Sequence, residues 1–407
     1  MSMYGLDLLN GVIQRAENLL DAIKTTATYP HNEKVLNRLW NAKEVGDLLG
    51  KNKATVTRTA ANLISAGDMG DFTDDQRHPT SGAVMGYTLK QLNALRGHYG
   101  LMPTRNQLMD ECLLWAVQVF KGGTGKSITT AYLAQSLASR GYKGLVVDMD
   151  PQSSLTSLFG YMPDIEIDLE DTITPFIEGD EPDLKYAVRG TNWEGLDLIP
   201  SQLLTNDNDI LMAFKAAEIA DPADRIHLMV NKLKRGLEPL RAEYDFILLD
   251  CPPALNMSTL NILCAVDAVV IPSPPALFDF SSTLQYLRMI KTVITRIAPD
   301  KQYKFIKILR TKNDKKKASM QFSDAMEKSF GDYLLPCEFP LLTEVSNATT
   351  EFMTFLEDRR PQKKGLDIIE NLTDHIELEI LKTWPSKGLE IKALEEKINK
   401  GVEHGEA

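Results

Sequence analysis

This sequence lacks the features of several large classes of protein. It has only four cysteines in 407 residues, and they are spread without the paired spacing of zinc or iron–sulfur ligands. We therefore expect no iron–sulfur site and predict reduced, mostly buried thiols at Cys112, Cys251, Cys264 and Cys337. There is no apolar run of membrane-spanning length, and no basic segment precedes an apolar one at the N-terminus. These absences predict a cytoplasmic protein that does not contact a membrane.

The chain also lacks an excess of positive charge. Its 45 Lys and Arg residues are outnumbered by 56 Asp and Glu residues, which gives a formal net charge of −11. A protein of this charge does not coat DNA through its overall field, although local basic clusters remain effective. Two such clusters occur, at 312–317 and 359–364. They predict either solvated loops or salt-sensitive, sequence-independent contacts with DNA.

The most informative segment that is present is Phe120–Ser127, a glycine-rich loop that ends in Lys-Ser. The apolar run 114–120 predicts a buried strand before it, and Ile128–Ser139 predicts a helix after it. In this context, backbone N–H groups and a helix N-terminus hold the phosphates of a nucleotide. We expect Lys126 to reach the β- and γ-phosphates and the Ser127 hydroxyl to bind Mg²⁺. The predicted nucleotide-binding residues of this segment are Lys121, Gly122, Gly123, Thr124, Gly125, Lys126, Ser127 and Ile128.

Two further apolar runs end in carboxylates. Residues 144–152 carry Asp148 and Asp150, and residues 244–250 end in Asp250. Parallel strands bring their C-terminal ends to one edge of a sheet, where α/β proteins bind ligands. We therefore expect these acids beside the phosphate loop, with Asp148 and Asp250 at the metal. The alternative is that they only cap turns or helices.

The later sequence continues the alternation of strands and helices. Residues 265–272 and 305–309 predict buried strands, and residues 281–297 predict a helix between them. The expected fold is therefore α/β, with a doubly wound, mostly parallel sheet.

The region before the phosphate loop is long enough to form its own domain. Residues 40–50 and 54–64 predict two amphipathic helices joined by a short turn, as in a helix-turn-helix. Their predicted apolar faces consist of Val45, Leu48 and Leu49 in the first helix and of Val56, Ala60, Leu63 and Ile64 in the second. Residues 67–87 are rich in glycine and polar side chains and predict a hairpin wing. The alternative is a helical hairpin that only packs against the rest of the chain.

The same region carries side chains suited to DNA phosphates and major-groove base edges. The predicted DNA-binding residues are Lys51, Lys53, Thr55, Thr57, Arg58 and Arg77.

An apolar stripe recurs with helical spacing near the N-terminus. Its members are Leu8, Leu9, Val12, Ile13, Ala16, Leu19, Leu20 and Ile23. An amphipathic helix must bury such a stripe, either in a partner subunit or against its own chain, and periodicity alone does not choose between the two. Residues 29–32 predict a break before the next helix.

Three motifs together resemble the deviant Walker ATPases of the ParA/MinD group: Lys121–Ser127, Val147–Ser154 and Asp250–Pro253. The tripeptide at 150–152, Asp-Pro-Gln, is typical of ParA. The resemblance implies ATP/ADP and Mg²⁺ as cofactors and a homodimer that sandwiches the nucleotide. It also implies that Lys121 crosses to the partner's phosphates, much as an arginine finger does.

The resemblance gives further roles to individual residues. Asp150 would position the attacking water, so the implied catalytic residues are Lys121, Lys126 and Asp150. The family's adenine pocket would lie near Thr311 and Pro340. The sequence departs from the family at Val119 and Phe120, where Asn is often found, and at Ile128, where Thr is common.

The order of the predicted domains is similar to that of the long, type Ia ParA proteins. This similarity implies a dimerisation helix and linker at 1–36, a winged helix-turn-helix DNA-binding domain at 37–108, and an ATPase domain with C-terminal helices at 109–407. Such a protein would segregate a plasmid or prophage with a ParB-like centromere-binding protein, bind nonspecific chromosomal DNA on the nucleoid, and repress its own operon at operator DNA.

Three other functions remain alternatives from the sequence. One is a nucleotide-switched transcriptional regulator with no segregation role. A MinD-like membrane positioning ATPase is disfavoured, because residues 389–398 predict a helix of mixed charge rather than a cationic membrane anchor. A small-molecule kinase would need a phosphate acceptor, which no motif indicates.

Overall fold

The computed structural model describes residues 3–26, 36–103 and 105–405. The first helix, α1 (Met3–Thr26), confirms the helical spacing of the N-terminal stripe. Its side chains at Leu8, Leu9, Val12, Ile13 and Leu19 are each at least half exposed, so docking within the same chain does not account for them. The side chains of Leu20 and Ile23 lie outside those described, as does the predicted break at 29–32.

A small helical unit follows, made of α2 (Ala42–Leu49), α3 (Lys53–Ala66) and α4 (Leu89–Tyr99). The Asn41 side chain accepts hydrogen bonds from the first-turn amides of α2, and Asn52 does the same for α3. The turn between the two helices is tight, because a Cβ at Gly46 would lie 2.5 Å from the Lys51 carbonyl oxygen. The predicted pair of helices is therefore confirmed, and glycine is required where they meet.

The apolar faces of these helices are confirmed with one exception. The buried core of this unit includes Trp40, Val45, Leu49, Val56, Ala60, Leu63, Leu92 and Leu95, and Ile64 packs against it. The prediction was wrong for Leu48, which is half exposed. Only one stripe of so short a helix faces α3 and α4, and Val45 and Leu49, four residues apart, occupy it.

The predicted wing is shorter than expected. Residues 76–78 pair with residues 83–85 through single antiparallel contacts, among them the His78 amide to the Ala83 carbonyl at 2.8 Å. Pro79 has no amide to extend the ladder, and residues 74–76 form a 3₁₀ turn instead. The segment is thus a compact hairpin-like loop rather than a pair of strands.

The larger unit is built on one eight-stranded sheet of order β3-β4-β2-β5-β1-β6-β7-β8. The described pairings are parallel except that between β3 and β4, which confirms the predicted sheet. The strands are β1 (Leu113–Val117), β2 (Gly144–Asp148), β3 (Arg189–Gly190), β4 (Leu196–Ile199), β5 (Phe246–Asp250), β6 (Ala268–Ser273), β7 (Phe305–Thr311) and β8 (Leu334–Phe339). The central strands β1, β2, β5 and β6 are buried throughout, as runs covered on both faces must be.

Helices cover both faces of this sheet. The helices of this unit are α5 (Lys126–Ser139), α6 (Ser154–Leu158), α7 (Pro163–Glu166), α8 (Thr174–Glu178), α9 (Asn208–Glu218), α10 (Pro222–Leu237), α11 (Met257–Ala265), α12 (Leu277–Arg296), α13 (Lys317–Phe330), α14 (Thr343–Thr350), α15 (Lys363–Lys382) and α16 (Gly388–Gly405). One face of the sheet shares its core with α5, α15 and the small helical unit, and the other shares its core with α10, α11 and α12. None of the helices in the described part of the chain has the length and apolar character that crossing a bilayer requires.

The small helical unit also forms hydrogen bonds with the sheet unit. The Arg96 guanidinium at the end of α4 donates a hydrogen bond to the Ser139 carbonyl oxygen at the end of α5, at 2.5 Å. Arg359 donates to the Asp75 carbonyl oxygen. The four cysteines are buried and free, as predicted.

Candidate functional site

The glycine-rich loop connects β1 to α5, as the sequence predicts. Gly123 and Gly125 have φ values of +73° and +93°, a region that side chains with a Cβ rarely adopt. Gly125 caps α5, so the first amides of this helix lie at the loop. Lys126 is buried, with its Nζ 3.3 Å from the Lys121 carbonyl oxygen, and burial lowers its pKa. A cation and free amides therefore meet at one helix N-terminus, which is an arrangement for binding phosphate.

Two buried carboxylates face each other beside this loop. Asp148 ends β2 and Asp250 ends β5, and the two residues pair directly across these strands. Burial raises the pKa of Asp148 to about 7. Burial also holds the pKa of Asp250 well above its usual range, and the charge of Asp148 raises it further. Ser127 lies close enough to Asp250 to lower that pKa in part.

The two carboxylates differ in their hydrogen-bond partners. Asp148 accepts hydrogen bonds from the Thr156 amide at 2.8 Å, from the Thr156 hydroxyl at 2.7 Å and from the Asp150 amide at 3.1 Å. By contrast, Oδ2 of Asp250 is buried with no hydrogen-bond partner among the described residues. Asp148 thus fixes the backbone that carries Asp150, while Asp250 keeps an oxygen free to accept a ligand.

These groups fit a magnesium ion that binds together with a nucleotide. Mg²⁺ prefers a few carboxylate and hydroxyl oxygens and completes its octahedron with phosphate oxygens and water. Ser127 and Asp250 supply such oxygens, with Asp148 behind them. The described residues contain no group of three or more His, Cys, Asp or Glu side chains that would hold a metal ion without a nucleotide.

Asp150 begins a tight turn just after β2. Its carboxylate accepts a hydrogen bond from the Gln152 amide at 3.0 Å, and its carbonyl oxygen accepts one from the Ser153 amide at 2.8 Å. Ser153 has a φ of +54°. The turn holds a mostly buried carboxylate at the same sheet edge as the phosphate loop.

Lys121 lies in this loop and forms an ion pair within its own chain. Its Nζ is 2.8 Å from Oδ1 of Asp279, in the first turn of α12. The preceding Phe120 packs edge-to-face against Tyr286 of α12, with ring centroids 5.0 Å apart. Val119 is buried in the core. The two departures from the family pattern before Lys121 therefore serve packing against α12 and the sheet.

The remaining predicted nucleotide residues lie beside the loop. Thr311 is the last residue of β7, and its hydroxyl donates to the Thr124 carbonyl oxygen at 2.8 Å. It pairs with Phe339, so Pro340 is its neighbour. The Ile128 side chain packs into the core, which leaves its backbone amide as the group able to face a nucleotide. Thr311 supports the loop, and its predicted role near adenine remains a prediction.

Exposed apolar side chains lie at the same edge of the sheet as the phosphate loop. They lie in the segments that follow strands β4, β5 and β6 and in the first turn of α12, at Leu203, Leu204, Leu255, Leu277 and Phe278, and each is more than half exposed. Because the C-terminal ends of parallel strands meet at one sheet edge, these side chains share the edge that carries Lys121 and the carboxylates. An apolar rim of this kind on a single protomer indicates a surface that another protein covers.

The predicted DNA-binding residues lie apart from this edge, in the small helical unit. Lys51, Lys53, Thr57 and Arg58 are exposed, whereas Thr55 is half buried at the start of α3. Lys51 lies over the Tyr99 ring, with its Nζ 5.0 Å from the centroid. Arg77 lies in the hairpin-like loop at 76–85, 3.8 Å from Asp71. The outward face of α3 consists of Ala54, Thr57, Arg58, Ala61 and Ser65, which are all exposed.

The structure brings the two basic clusters together. Lys315 of the first and Lys363 and Lys364 of the second line the same open groove beside β8. Lys315 also pairs with Glu338, and Lys316 with Asp314. Part of the positive charge is therefore neutralised locally, while Lys363 and Lys364 lie at the start of α15.

Sequence reasoning missed two residues of this site. Asp279, the partner of Lys121, lies 158 residues further along the chain, and no motif marks it. Thr156, which holds Asp148, follows the Asp-Pro-Gln segment closely, and a hydroxyl near a buried acid is its only signal in the sequence.

Comparison with known proteins gives consistent matches. The AAA domain family matches residues 114–303. Protein SopA of Escherichia coli strain K12 is 29% identical over 366 residues, which cover 88% of this chain and 92% of SopA. A solved structure named Partition Protein is 19% identical with a TM-score of 0.64, and the match covers 93% of this chain and 98% of that chain.

Another solved structure is a cobyrinic acid a,c-diamide synthase of Mycobacterium smegmatis with a bound ATP analog and magnesium. It is 24% identical with a TM-score of 0.50, and the match covers 65% of this chain and 96% of that one. At these identities, the two structural matches indicate the fold alone. The first extends over nearly the whole chain.

Proposed function

The chain belongs to the ParA/SopA family of partition ATPases, the deviant Walker group, in its long form with an N-terminal extension, and we propose that it segregates DNA by ATP hydrolysis and represses its own partition operon. The observation that carries this proposal is the meeting of Lys121, Lys126, Asp150 and Asp250 at one sheet edge, inside an exposed apolar rim. The lysines suit a triphosphate, the acids suit its metal and its attacking water, and the rim suits a second subunit.

Each charged residue has a distinct task in the proposed hydrolysis. The loop amides and Lys126 bind the β- and γ-phosphates and neutralise their charge. Ser127 and Asp250, with Asp148 behind them, would hold Mg²⁺, and a bound Mg²⁺ would polarise the phosphate oxygens. Asp150 accepts a hydrogen bond from the attacking water and so orients it toward the γ-phosphate. Its turn is fixed through Asp148, so the carboxylate is positioned before the nucleotide arrives.

Lys121 completes the site from the opposite subunit. A cation that enters a water-excluded site stabilises the charge of the transition state more strongly than it would in bulk water. Burial of Leu203, Leu204, Leu255 and Phe278 between two copies would exclude that water and supply apolar contact area. ATP is therefore the substrate of the site and also the ligand that stabilises the sandwich dimer.

The N-terminal segments provide a separate mode of dimerisation and the specific DNA contacts. We assign the dimerisation role of the N-terminal segment to α1 (Met3–Thr26), because this helix exposes an apolar stripe. Residues 37–108 form a winged helix-turn-helix in which α3 enters the major groove. Thr57 and Arg58 on its outward face read base edges, while Lys51, Lys53 and Thr55 at its start and Arg77 in the wing contact phosphates.

Residues 109–407 form the ATPase domain with its C-terminal helices, and we assign nonspecific DNA binding to this domain. Lys363 and Lys364, at the groove beside β8, are the proposed phosphate contacts. A ParB-like centromere-binding protein would stimulate ATP hydrolysis. Because nonspecific DNA binding needs ATP, hydrolysis would release the chain from the nucleoid into the cytoplasm. The nucleotide selects between operator binding and nonspecific binding because it binds the two conformations with different affinities.

A DNA-binding assay with no nucleotide, with ADP and with ATP tests this function. We expect preference for the DNA upstream of the gene with ADP, and binding of random DNA with ATP. Identical binding in all three conditions would refute the nucleotide switch. If the chain were only a transcriptional regulator, the Asp150→Ala variant would keep its biological function, because ATP binding alone would set its state.

A further inference from the structure

The ion pair between Lys121 and Asp279 keeps the lysine inside its own subunit. The two charged groups are 2.8 Å apart, and the Asp279 side chain is 11% exposed whereas that of Lys121 is 39% exposed. The carboxylate is therefore the more buried partner. Among the described residues, Lys121 is the one that forms a hydrogen bond or an ion pair with the Asp279 carboxylate.

The position of Asp279 relative to Lys121 is set by rigid contacts. Tyr286 of α12 donates a hydrogen bond to Oε1 of Gln118 at 3.0 Å, and its ring contacts Phe120. Thr283 of the same helix donates to the Ser273 hydroxyl at the end of β6, at 2.9 Å. The N-terminal half of α12 is thus fixed against the end of β6 and against the segment that carries Lys121. The Lys121–Asp279 ion pair is therefore a feature of the fold and not a chance contact between two mobile side chains.

A lysine held in this way cannot also reach the phosphates of another subunit. When Lys121 moves away from Asp279, a mostly buried carboxylate loses its charged partner, which is unfavourable. In a symmetric dimer this happens twice, once for each nucleotide. The ion pair therefore opposes closure of the sandwich in proportion to its strength.

We propose that Asp279 is a positioning residue that restrains Lys121 in the open state and so sets the ATP concentration at which the sandwich closes. The inference rests on the proposed in-trans role of Lys121. The restraint suppresses closure at low ATP, because only a γ-phosphate in the opposite subunit offers Lys121 a better partner. ADP offers no such partner, so the restraint leaves ADP binding unaffected.

The test measures binding of a fluorescent, nonhydrolysable ATP analogue and of fluorescent ADP to the full chain with Mg²⁺. In Asp279→Asn we expect the half-saturating concentration of the ATP analogue to fall about fivefold, the upper range for a partly exposed ion pair. Half-saturation by ADP should stay unchanged. Release of the ATP analogue should slow by a similar factor, because Asp279→Asn would favour the closed state over the open state.

Three variants isolate the effect. Asp279→Glu retains a carboxylate and should bind both nucleotides as the wild type does. Asp300→Asn removes the same charge from an exposed position beyond the far end of α12 and should change nothing. In a Lys121→Ala background, Asp279→Asn should have no effect, because its partner is already gone.

The outcomes separate this inference from the proposed function. An unchanged or weaker affinity of Asp279→Asn for the ATP analogue would overturn the restraint, and a weaker one would mean that Asp279 guides Lys121 across the interface. An equal gain for ADP would also overturn it. A wild-type chain that binds the analogue but does not close around it would instead refute the sandwich dimer itself.

Discussion

Asp148 and Asp250 lie directly opposite each other as the last residues of the adjacent parallel strands β2 and β5. Both are buried, and no basic side chain forms an ion pair with either of them among the described residues. Two acids placed in this way resist ionisation together. The same placement suits a divalent cation and makes the ATPase domain sensitive to pH.

The first prediction concerns pH and stability. The pKa of Asp148 is raised from 3.8 to about 7 in the folded chain, and that of Asp250 is raised as well. The folded chain thus binds protons more tightly than the unfolded chain, so the free energy of unfolding falls as pH rises from about 4 to about 7. Asp148→Asn should reduce this fall by on the order of 2 kcal/mol. Urea unfolding across this pH range measures it.

Asp300→Asn is the control for that prediction, since its carboxylate is exposed. Its pH dependence should match that of the wild type. An equally steep fall in Asp148→Asn would show that the buried pair does not ionise as described.

The second prediction concerns Thr156. Its hydroxyl donates to Asp148 at 2.7 Å and accepts a hydrogen bond from the Ser201 amide at 3.0 Å. Thr156→Val removes one of the hydrogen bonds to the buried Asp148 carboxylate and takes this acceptor from the Ser201 amide, so we expect a loss of about 1 to 3 kcal/mol in the free energy of unfolding. Hydrolysis should fall more than nucleotide affinity, because the turn that carries Asp150 loosens. Denaturation and steady-state kinetics check this.

Thr156→Ser is the matched variant, since it keeps the hydroxyl. It should retain most of the stability and most of the rate. If valine and serine behave alike, the hydroxyl is not what holds Asp148.

The third prediction concerns Asp150. Asp150→Ala removes the carboxylate that we propose orients the attacking water, but no group of the phosphate loop. We expect the hydrolysis rate to fall by a factor of about 100 or more, with ATP affinity near that of the wild type. ATP-dependent DNA binding should persist while plasmid inheritance is lost. Retained inheritance would favour a regulator over a segregation ATPase.

The fourth prediction concerns the specific DNA surface. Arg58 is exposed on the outward face of α3, so Arg58→Ala should lower operator affinity by a factor of about 10, the worth of one good base or phosphate contact. Binding of random DNA with ATP should be unaffected, because we assign it to another surface. Lys90→Ala, an exposed lysine on α4, is the control. Equal losses on both DNAs would mean that α3 does not read sequence.

Much of this molecule could be predicted from the sequence because its signals are local. The glycines before Lys126 and the apolar runs that end in Asp148, Asp150 and Asp250 specify strand ends and a phosphate loop by themselves. The pairing of Lys121 with Asp279 could not be predicted, since it joins segments that only the packing of Tyr286 on Phe120 brings together.

The short elements were harder to predict for a different reason. Leu48 fits the apolar period of its helix, but eight residues present too narrow a face to bury it as well as Val45 and Leu49. In the wing, turn residues predicted a hairpin correctly in outline, while Pro79 and the 3₁₀ turn at 74–76 limited its pairing. Tertiary context decided both cases.

The central claim is that Lys121 of one subunit serves the nucleotide of the other, and mixing two inactive variants tests it most directly. Lys121→Ala and Asp150→Ala should each hydrolyse ATP poorly alone. In a mixed dimer, the first subunit keeps Asp150 and receives Lys121 from its partner, so one complete site forms. At equal amounts we predict about one quarter of the wild-type rate, since half of randomly formed dimers are mixed and each has one of two sites intact. No activity above the separate variants after co-expression would contradict the claim.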